Sequence, residues 1–259
     1  MNTPQQEDRL QKIRALLAKA EGTNHPAEAQ AFSAKAQELM AKWAIDDAML
    51  DASQDKPGNI IKHTVWLDAN EYRAPKIRLL ADLAALNDCK SVMHRQTYRE
   101  IDGVRKRQFE FVLVGHEKDV ENVETLYTSF LTQAGMAYLN PTVQADVEAE
   151  CEQGGHRIKW RNTFMMSFAS EIRRILSAAK ERVKAEAATG YAPGSMAMVF
   201  VGRAALVERK LAEFYPNLCK SARTSAGQGS GAAMGHGRQA ARNADTGRPK
   251  LGGNRKQLS

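Results

Sequence analysis

The stretch RLQKIRALLAKAEG, residues 9–22, opens the segment around which the rest of the chain is organised. Its apolar residues recur at steps of three and four, which predicts one buried stripe on an α-helix. Asn24 and Pro26 suit the start of a second helix, AEAQAFSAKAQELMAKWAID. The sequence therefore predicts a helical hairpin within residues 1–48. Because so short a pair cannot bury a stable core alone, it must pack against the remainder of the chain.

A family resemblance is carried by KIRALLAKAEGTNHPAEAQAFSAKAQELMAKWAID, residues 12–46. This run resembles the N-terminal signature of the family called domain of unknown function 2786, which phage, prophage and other bacterial proteins carry. Three later runs are similar to the α+β region that often accompanies it: KIRLLADLAALNDC, FVLVGHEKDVENVETLYTSFL and WRNTFMMSFASEIRRIL. The resemblance implies a fold and a phage or prophage setting. It implies no catalytic residue, because the family has no established activity.

Residues 59–216 carry the pattern of an α+β domain. Alternating apolar residues predict three strands, over Ile60–Leu67, Cys89–Tyr98 and Arg107–Val114. Asp102-Gly103, between the last two, predicts a tight hairpin turn. Helical periodicity predicts helices over 74–87, 117–138, 157–188 and 204–215, and a further helix within 143–155 that ends before the two glycines. The short apolar run Met196–Val201 is interpreted as a further strand. This order predicts an antiparallel sheet with helices on one face.

Composition bears on the cellular compartment. No apolar run approaches the roughly 18–20 residues that cross a bilayer, and the start MNTPQQEDRL lacks the apolar segment of a signal peptide. Three cysteines, Cys89, Cys151 and Cys219, form no close pair, which argues against a disulfide framework. We therefore expect a protein of the bacterial host cytoplasm with no membrane partner.

The net charge is concentrated in residues 217–259. This segment holds eight Lys or Arg against one acid, Asp245, and so accounts for the whole formal charge of +7. Its glycine, serine and alanine content predicts a flexible basic tail. One pattern argues against flexibility. Gly229, Ala233 and Gly237 recur every four positions, as they would on a smooth face of a helix. Because glycine disfavours an isolated helix, such a helix would need another surface to pack against.

No motif in the chain predicts catalysis or a metal site. The run His116-Glu117-Lys118-Asp119-Val120 resembles the start of a zinc-protease helix, but Val120 stands where the second histidine is required. Two Cys-x4-His pairs, beginning at Cys89 and Cys151, lack the usual spacing of zinc modules. The glycine-rich run 227–237 has no Gly-Lys-Ser/Thr ending and predicts no phosphate-binding loop. We expect no cofactor and no metal, and the sequence leans against an enzyme.

The basic tail is the best indication of function. A flexible cationic segment suits phosphate contacts that need no fixed geometry, which favours binding of DNA or RNA without strong sequence preference. The basic outer face at the start of the predicted helix 157–188 would assist. The candidate nucleic-acid-binding residues are Arg223, Arg238, Arg242, Arg248, Lys250, Arg255, Lys256, Arg157, Lys159 and Arg161.

Two alternatives remain open at this point. One is a protein-interaction module, in which the alanine-rich hairpin holds a host or phage protein. The other is an unrecognised enzyme in the α+β region, because catalytic residues converge in space rather than in sequence. A pocket holding perturbed titratable residues would favour the enzyme.

Overall fold

The computed structural model describes residues 4–22, 58–188, 195–218 and 229–244, together with several single residues between 32 and 43. Three strands lie within these ranges: β1 (Ile60–Asp68), β2 (Lys90–Ile101) and β3 (Val104–His116). The helices within the same ranges are α1 (Pro4–Gly22), α2 (Arg73–Leu86), α3 (Glu117–Tyr138), α4 (Pro141–Glu152), α5 (Arg157–Ala188), α6 (Ser195–Phe214) and α7 (Gly231–Asn243).

The three strands form one antiparallel sheet in the order β1–β3–β2, so β3 lies at its centre. Val65 on β1 is paired with Phe111 on β3, which puts both side chains on the same face. Asp102 and Gly103 join β2 to β3 with positive φ values of 54° and 73°. Positive φ at both central residues is what favours Asp-Gly in tight hairpins. The predicted α+β class and the predicted hairpin turn are confirmed.

One face of the sheet carries the main hydrophobic core. Helices α2 and α3 pack on this face, where Phe111 and Leu113 are buried. Helix α5 packs against both α2 and α7 and contributes Trp160, Phe164 and Phe168, which are at most 2% exposed. The bounds of these three helices agree with the predicted ranges to within one residue. Their apolar stripes therefore face the side that the periodicity indicates.

Helix α6 packs on the opposite face, which corrects the prediction of helices on one face only. Val112 and Val114 of β3 lie on that face and are buried together with Val207 and Leu211 of α6. The interpretation of Met196–Val201 as a strand is also wrong, because these residues form the first turns of α6. A short apolar run fits a strand and a buried helix equally well, so periodicity alone could not decide.

Strands β2 and β3 continue beyond the end of β1 as a two-stranded ribbon, defined here as residues 98–107. Strand β1 ends at Asp68, which is paired with Gln108. Closer to the turn, strand pairing joins β2 and β3 alone, beginning with Tyr98 opposite Arg107. At a rise of about 3.4 Å per residue, the ribbon extends the sheet by about 10–14 Å.

Helix α7 lies inside the segment 217–259 that the sequence predicts to be a flexible tail. That prediction is wrong for residues 231–243, which form a helix capped by the Ser230 hydroxyl. Ala233, Gly237 and Ala241 are buried on the side that faces α5. The four-residue spacing of small residues therefore marks a helix face with a partner. Residues 219–228 and 245–259 of the segment lie outside the described part of the chain.

The N-terminal helix α1 packs on α3, with Ile13 and Leu17 buried. Ala36 and Met40, from the predicted second helix, belong to the same core. Most of that second helix and its turn lie outside the described residues, so the hairpin itself stays a prediction. Within the described ranges, no helix combines the length and apolarity that a bilayer span requires.

Helices α7 and α5 approach closely at Gly237. A Cβ there would lie 2.2 Å from the Phe164 carbonyl oxygen and 2.9 Å from the Ser167 Cβ. Gly237→Ala is therefore expected to lower the free energy of unfolding by about 1–3 kcal/mol, because backbone must shift to make room. Urea denaturation of the full chain measures this change.

The matched control for this prediction is Gly235→Ala on the same helix. Gly235 is exposed, and a Cβ at this position meets nothing within 4 Å. Alanine should stabilise the helix there by about 0.5–1 kcal/mol, because it loses less backbone entropy on folding than glycine. Equal effects of the two substitutions would show that α7 does not dock on α5 in solution.

Candidate nucleic-acid interface

Half of the candidate cations lie outside the described residues: Arg223, Arg248, Lys250, Arg255 and Lys256. Their part in nucleic-acid binding stays a prediction. The other five lie on α5 and α7, and their surroundings differ.

Arg242 on α7 is paired with a buried carboxylate on α5. Its Nε donates a hydrogen bond of 2.9 Å to Glu171 Oε1, and Arg174 donates two more to that carboxylate at 2.7 and 3.0 Å. The Glu171 side chain is only 7% exposed. The hydrogen bonds from Arg174 lower the pKa of Glu171 to about 2, with Arg242 adding to them and burial opposing them. Arg242 therefore anchors α7 to α5.

Arg238 lies one turn before Arg242 and faces solvent. Its Nε donates a long hydrogen bond, 3.4 Å, to the Met234 carbonyl of its own helix. No carboxylate of the described residues lies within 4 Å of its guanidinium. Arg238 thus remains accessible to an anion, whereas Arg242 is committed to the fold.

Arg157 and Lys159 lie at the exposed start of α5. Arg157 donates a hydrogen bond of 3.3 Å to Gln144 Oε1, and its Nη2 is 4.0 Å from Glu148 Oε1. Pairs of this kind at an exposed surface contribute little to stability. Both side chains can therefore turn toward a phosphate at small cost.

Arg161 lies between two tyrosine rings. Its guanidinium carbon is 4.2 Å from the Tyr72 ring centroid and 5.0 Å from the Tyr138 ring centroid. The next residue, Asn162, donates a hydrogen bond of 2.8 Å to the Glu71 carbonyl. These contacts fix the loop between β1 and α2 against the start of α5. The predicted basic face of α5 is thereby brought to the end of the sheet from which the ribbon projects.

The ribbon carries a basic surface that the sequence analysis did not single out. Four exposed cations project from it: Arg99, Arg105, Lys106 and Arg107. None of them has a carboxylate within 4 Å among the described side chains. The ribbon contains two acids in its sequence, so its cations are in excess.

A signal for this surface does exist in the sequence. The run RKR, residues 105–107, follows directly on the Asp-Gly turn. It is hidden when charge is summed, because bases and acids cancel over residues 1–216. A balanced total does not show whether the charges are mixed or segregated on the folded surface.

Two ribbon arginines lie over aromatic rings. The Arg105 guanidinium carbon is 4.6 Å from the Tyr98 ring centroid, and that of Arg99 is 4.2 Å from the Trp66 ring centroid. Contacts of this kind hold a guanidinium in place while its N–H groups stay available as donors. The ribbon therefore presents oriented cations.

An ion pair between a buried carboxylate and a half-buried arginine lies at the opposite end of the sheet. Asp119 at the start of α3 and Arg203 of α6 are 3.0 Å apart. Burial raises the pKa of Asp119 to about 6, with Arg203 acting in the opposite direction. Burial also lowers the pKa of His116 to about 4, and Arg203 adds to that effect. The described residues contain no group of three or more His, Cys, Asp or Glu side chains that could hold a metal ion.

An open cavity of about 560 Å³ lies between α1 and α3. Its polar lining includes Arg14, Glu121 and Glu124. The perturbed groups Asp119 and His116 do not line it. Within the described part of the chain, this cavity and the strongly perturbed carboxylate and imidazole are thus separate. This cavity therefore lacks the strongly perturbed titratable groups that would favour an enzyme.

The comparisons with known proteins concern the N-terminal segment. Residues 9–47 match the family described as "Protein of unknown function (DUF2786)". This segment belongs to the DUF2786 family. The resemblance predicted from the hairpin sequence is therefore confirmed, while the DUF2786 match does not extend to the ribbon, α5 or α7. No curated protein and no solved structure matches the chain.

The environment of Glu171 predicts that Arg242→Gln changes stability in a pH-dependent way. Losing one charged hydrogen bond to Glu171 should lower the free energy of unfolding by about 1–2 kcal/mol at neutral pH. The pKa of Glu171 is depressed from its ordinary 4.5 to about 2. Its contribution to stability is therefore present above pH 4.5 and is lost as pH falls through about 2. The difference between the two proteins should shrink over that range.

Denaturant unfolding of both proteins between pH 7 and 2 checks this expectation. Arg238→Gln is the matched control, because Arg238 is on the same helix and its side chain donates a hydrogen bond only to the Met234 carbonyl among the described residues. This control should leave stability nearly unchanged. An equal loss in both variants would mean that Arg242 does not anchor α7.

Proposed function

We propose that this protein binds nucleic acid without strong sequence preference, through the basic ribbon at the end of its sheet. One observation carries the proposal. The exposed cations Arg99, Arg105, Lys106 and Arg107 have no carboxylate partner within 4 Å among the described residues. Four such cations on one projecting element create a local positive potential even though the globular body is neutral overall.

The physical basis is the release of counterions from the phosphate backbone. Each phosphate neutralised by Lys or Arg releases condensed cations, so affinity falls as salt rises. Such contacts need reach and charge rather than a specific pattern of hydrogen bonds. Arg238, Arg157 and Lys159 would add cations from α5 and α7.

The tail cations beyond α7 belong to the same proposal. Arg248, Lys250, Arg255 and Lys256 follow the last described residue, Ala244. They would add phosphate contacts to those of the ribbon. Arg242 is left out of the binding set, because it holds Glu171.

The phage or prophage setting implied by the family resemblance completes the proposal: an accessory protein acting on DNA or RNA. The interaction-module alternative is less well supported. The apolar residues of α1 that would grip a partner, Ile13 and Leu17, are buried in the main core.

The double substitution Arg105→Gln/Lys106→Gln tests the ribbon. We expect affinity for a labelled oligonucleotide to fall by about tenfold at low salt. The slope of log affinity against log salt should become shallower by about one for each cation removed. Fluorescence anisotropy at several salt concentrations measures both quantities.

A matched control removes the same charge elsewhere. Arg182 on α5 and Arg209 on α6 are exposed, and no carboxylate of the described residues lies within 4 Å of either. Arg182→Gln/Arg209→Gln should leave the affinity and the salt slope close to those of the unmodified protein. Equal losses in the two double variants would mean that net charge alone matters and that the ribbon is not the site.

The contribution of the tail is best tested by ending the chain after Ala244. Truncation at Pro216 would also remove α7, whose small residues are buried in the core. A loss of binding in that shorter chain would not separate missing cations from damaged packing. Ending after Ala244 removes Arg248, Lys250, Arg255 and Lys256 and keeps α7.

A further inference from the structure

One face of the ribbon continues the main-core face of the sheet. On this face arginine side chains alternate with aromatic rings. Tyr98 is paired with Arg107, so the two share this face. Arg105 and Phe109 lie two residues to either side of Arg107 on β3 and therefore point the same way. The Arg105 guanidinium carbon lies over the Tyr98 ring, 4.6 Å from its centroid. From Arg105 to Phe109 this row spans about 14 Å at the usual strand rise.

The alternation continues onto the helices. Arg73, the first residue of α2, places its guanidinium carbon 4.3 Å from the Phe109 ring centroid. The guanidinium carbon of Arg161 on α5 lies 4.2 Å from the ring centroid of Tyr72, the residue next to Arg73. Four arginines and three rings thus follow one another along this surface in a series that we call the stacking track: Arg105, Tyr98, Arg107, Phe109, Arg73, Tyr72 and Arg161.

We infer that this track binds single-stranded nucleic acid, with bases stacked on its rings and guanidinium planes and phosphates held by its cations. The inference rests on the proposed function and names the form of its ligand. Single-strand binders combine cations that follow the backbone with aromatic surfaces that accept any base. Both features are combined here, at the spacing of β-strand side chains on β2 and β3 and through Arg73, Tyr72 and Arg161 beyond them.

Accessibility and charge agree with this assignment. None of the seven residues is buried, and Tyr98 is 54% exposed. None of the four arginines has a carboxylate within 4 Å among the described side chains. Glu100, opposite Arg105, is the ribbon acid on this face, and it is outnumbered by Arg105 and Arg107.

A single strand fits the track better than a duplex does. In a duplex the base faces are covered by their neighbours, and only base edges are presented in the grooves. The exposed rings of the track would then find no accessible base face on which to stack. A single strand offers every base face, and unstacked bases are also recognised on arginine planes.

The experiment uses the full chain and three probes: a short single-stranded DNA, the same sequence as RNA, and the DNA duplex. We expect tighter binding to one or both single strands than to the duplex. Tyr98→Leu/Tyr72→Leu, which leaves every charge in place, should weaken single-strand binding by about tenfold for each ring. The salt slope should not change, because no phosphate contact is removed.

Two further variants separate stacking from folding. Tyr98→Trp keeps a π-face and should retain single-strand affinity. Phe214→Leu removes an exposed ring of α6 that lies off the track, and it should have no effect. Thermal unfolding of each variant confirms that the fold is kept.

The outcomes distinguish this inference from the proposed function. Duplex binding as tight as single-strand binding, or single-strand binding unaffected by loss of Tyr98 and Tyr72, would overturn the track. In either case the ribbon would still be a nucleic-acid site if Arg105→Gln/Lys106→Gln weakened binding. Absence of salt-sensitive binding to all three probes would overturn the proposed function and the inference together. The DNA and RNA probes decide which polymer is the ligand.

Discussion

Strand β3 must be shielded from water on both faces between Phe111 and Val114, and much of the architecture follows from this requirement. Phe111 and Leu113 point toward α2 and α3, while Val112 and Val114 point toward α6. Leaving any of these side chains in water would cost about 1.5–3 kcal/mol. The sheet is therefore enclosed at this end by helices on both faces. Toward Val104 the strand becomes polar, and the same strand pair can project into solvent without that cost.

Polar pairs then fix where the covering helices lie. The Asp119–Arg203 pair joins α3 to α6 beside the apolar contact of Val207 and Leu211. On the other side, Glu171 receives hydrogen bonds from its own helix and from α7. A buried charge pair contributes more to defining one arrangement than to net stability, because desolvation offsets much of its attraction. The described part of the molecule thus has an apolar end that helices enclose and a polar end that projects into solvent.

The sequence was most informative where one residue pattern matched one structure. The bounds of Glu117–Tyr138 agree with the predicted helix to the residue, because its apolar positions repeat with the helical period over about six turns. The prediction for Met196–Val201 is wrong because a run of six apolar residues fits the period of a strand and the period of a helix equally well. The spacing of small residues in α7 indicates a helix only if another element packs against its smooth face. The sequence does not show that this element is α5. The ribbon cations were overlooked because their segregation arises only when two strands bring Arg99 next to Lys106 and Tyr98 next to Arg107.

The turn at Asp102 and Gly103 has a consequence for the chemistry of the ribbon surface. Side chains on a strand alternate between faces, so a slip of one residue in pairing exchanges everything that the two faces display. Such a slip would move the tyrosine to the side of the indole Trp66 and break the row of rings and guanidiniums. Two residues with left-handed backbone fix the loop at its minimum length and hence the alignment of the strands. Amino acids that touch no ligand would in this way decide which chemical groups a ligand meets.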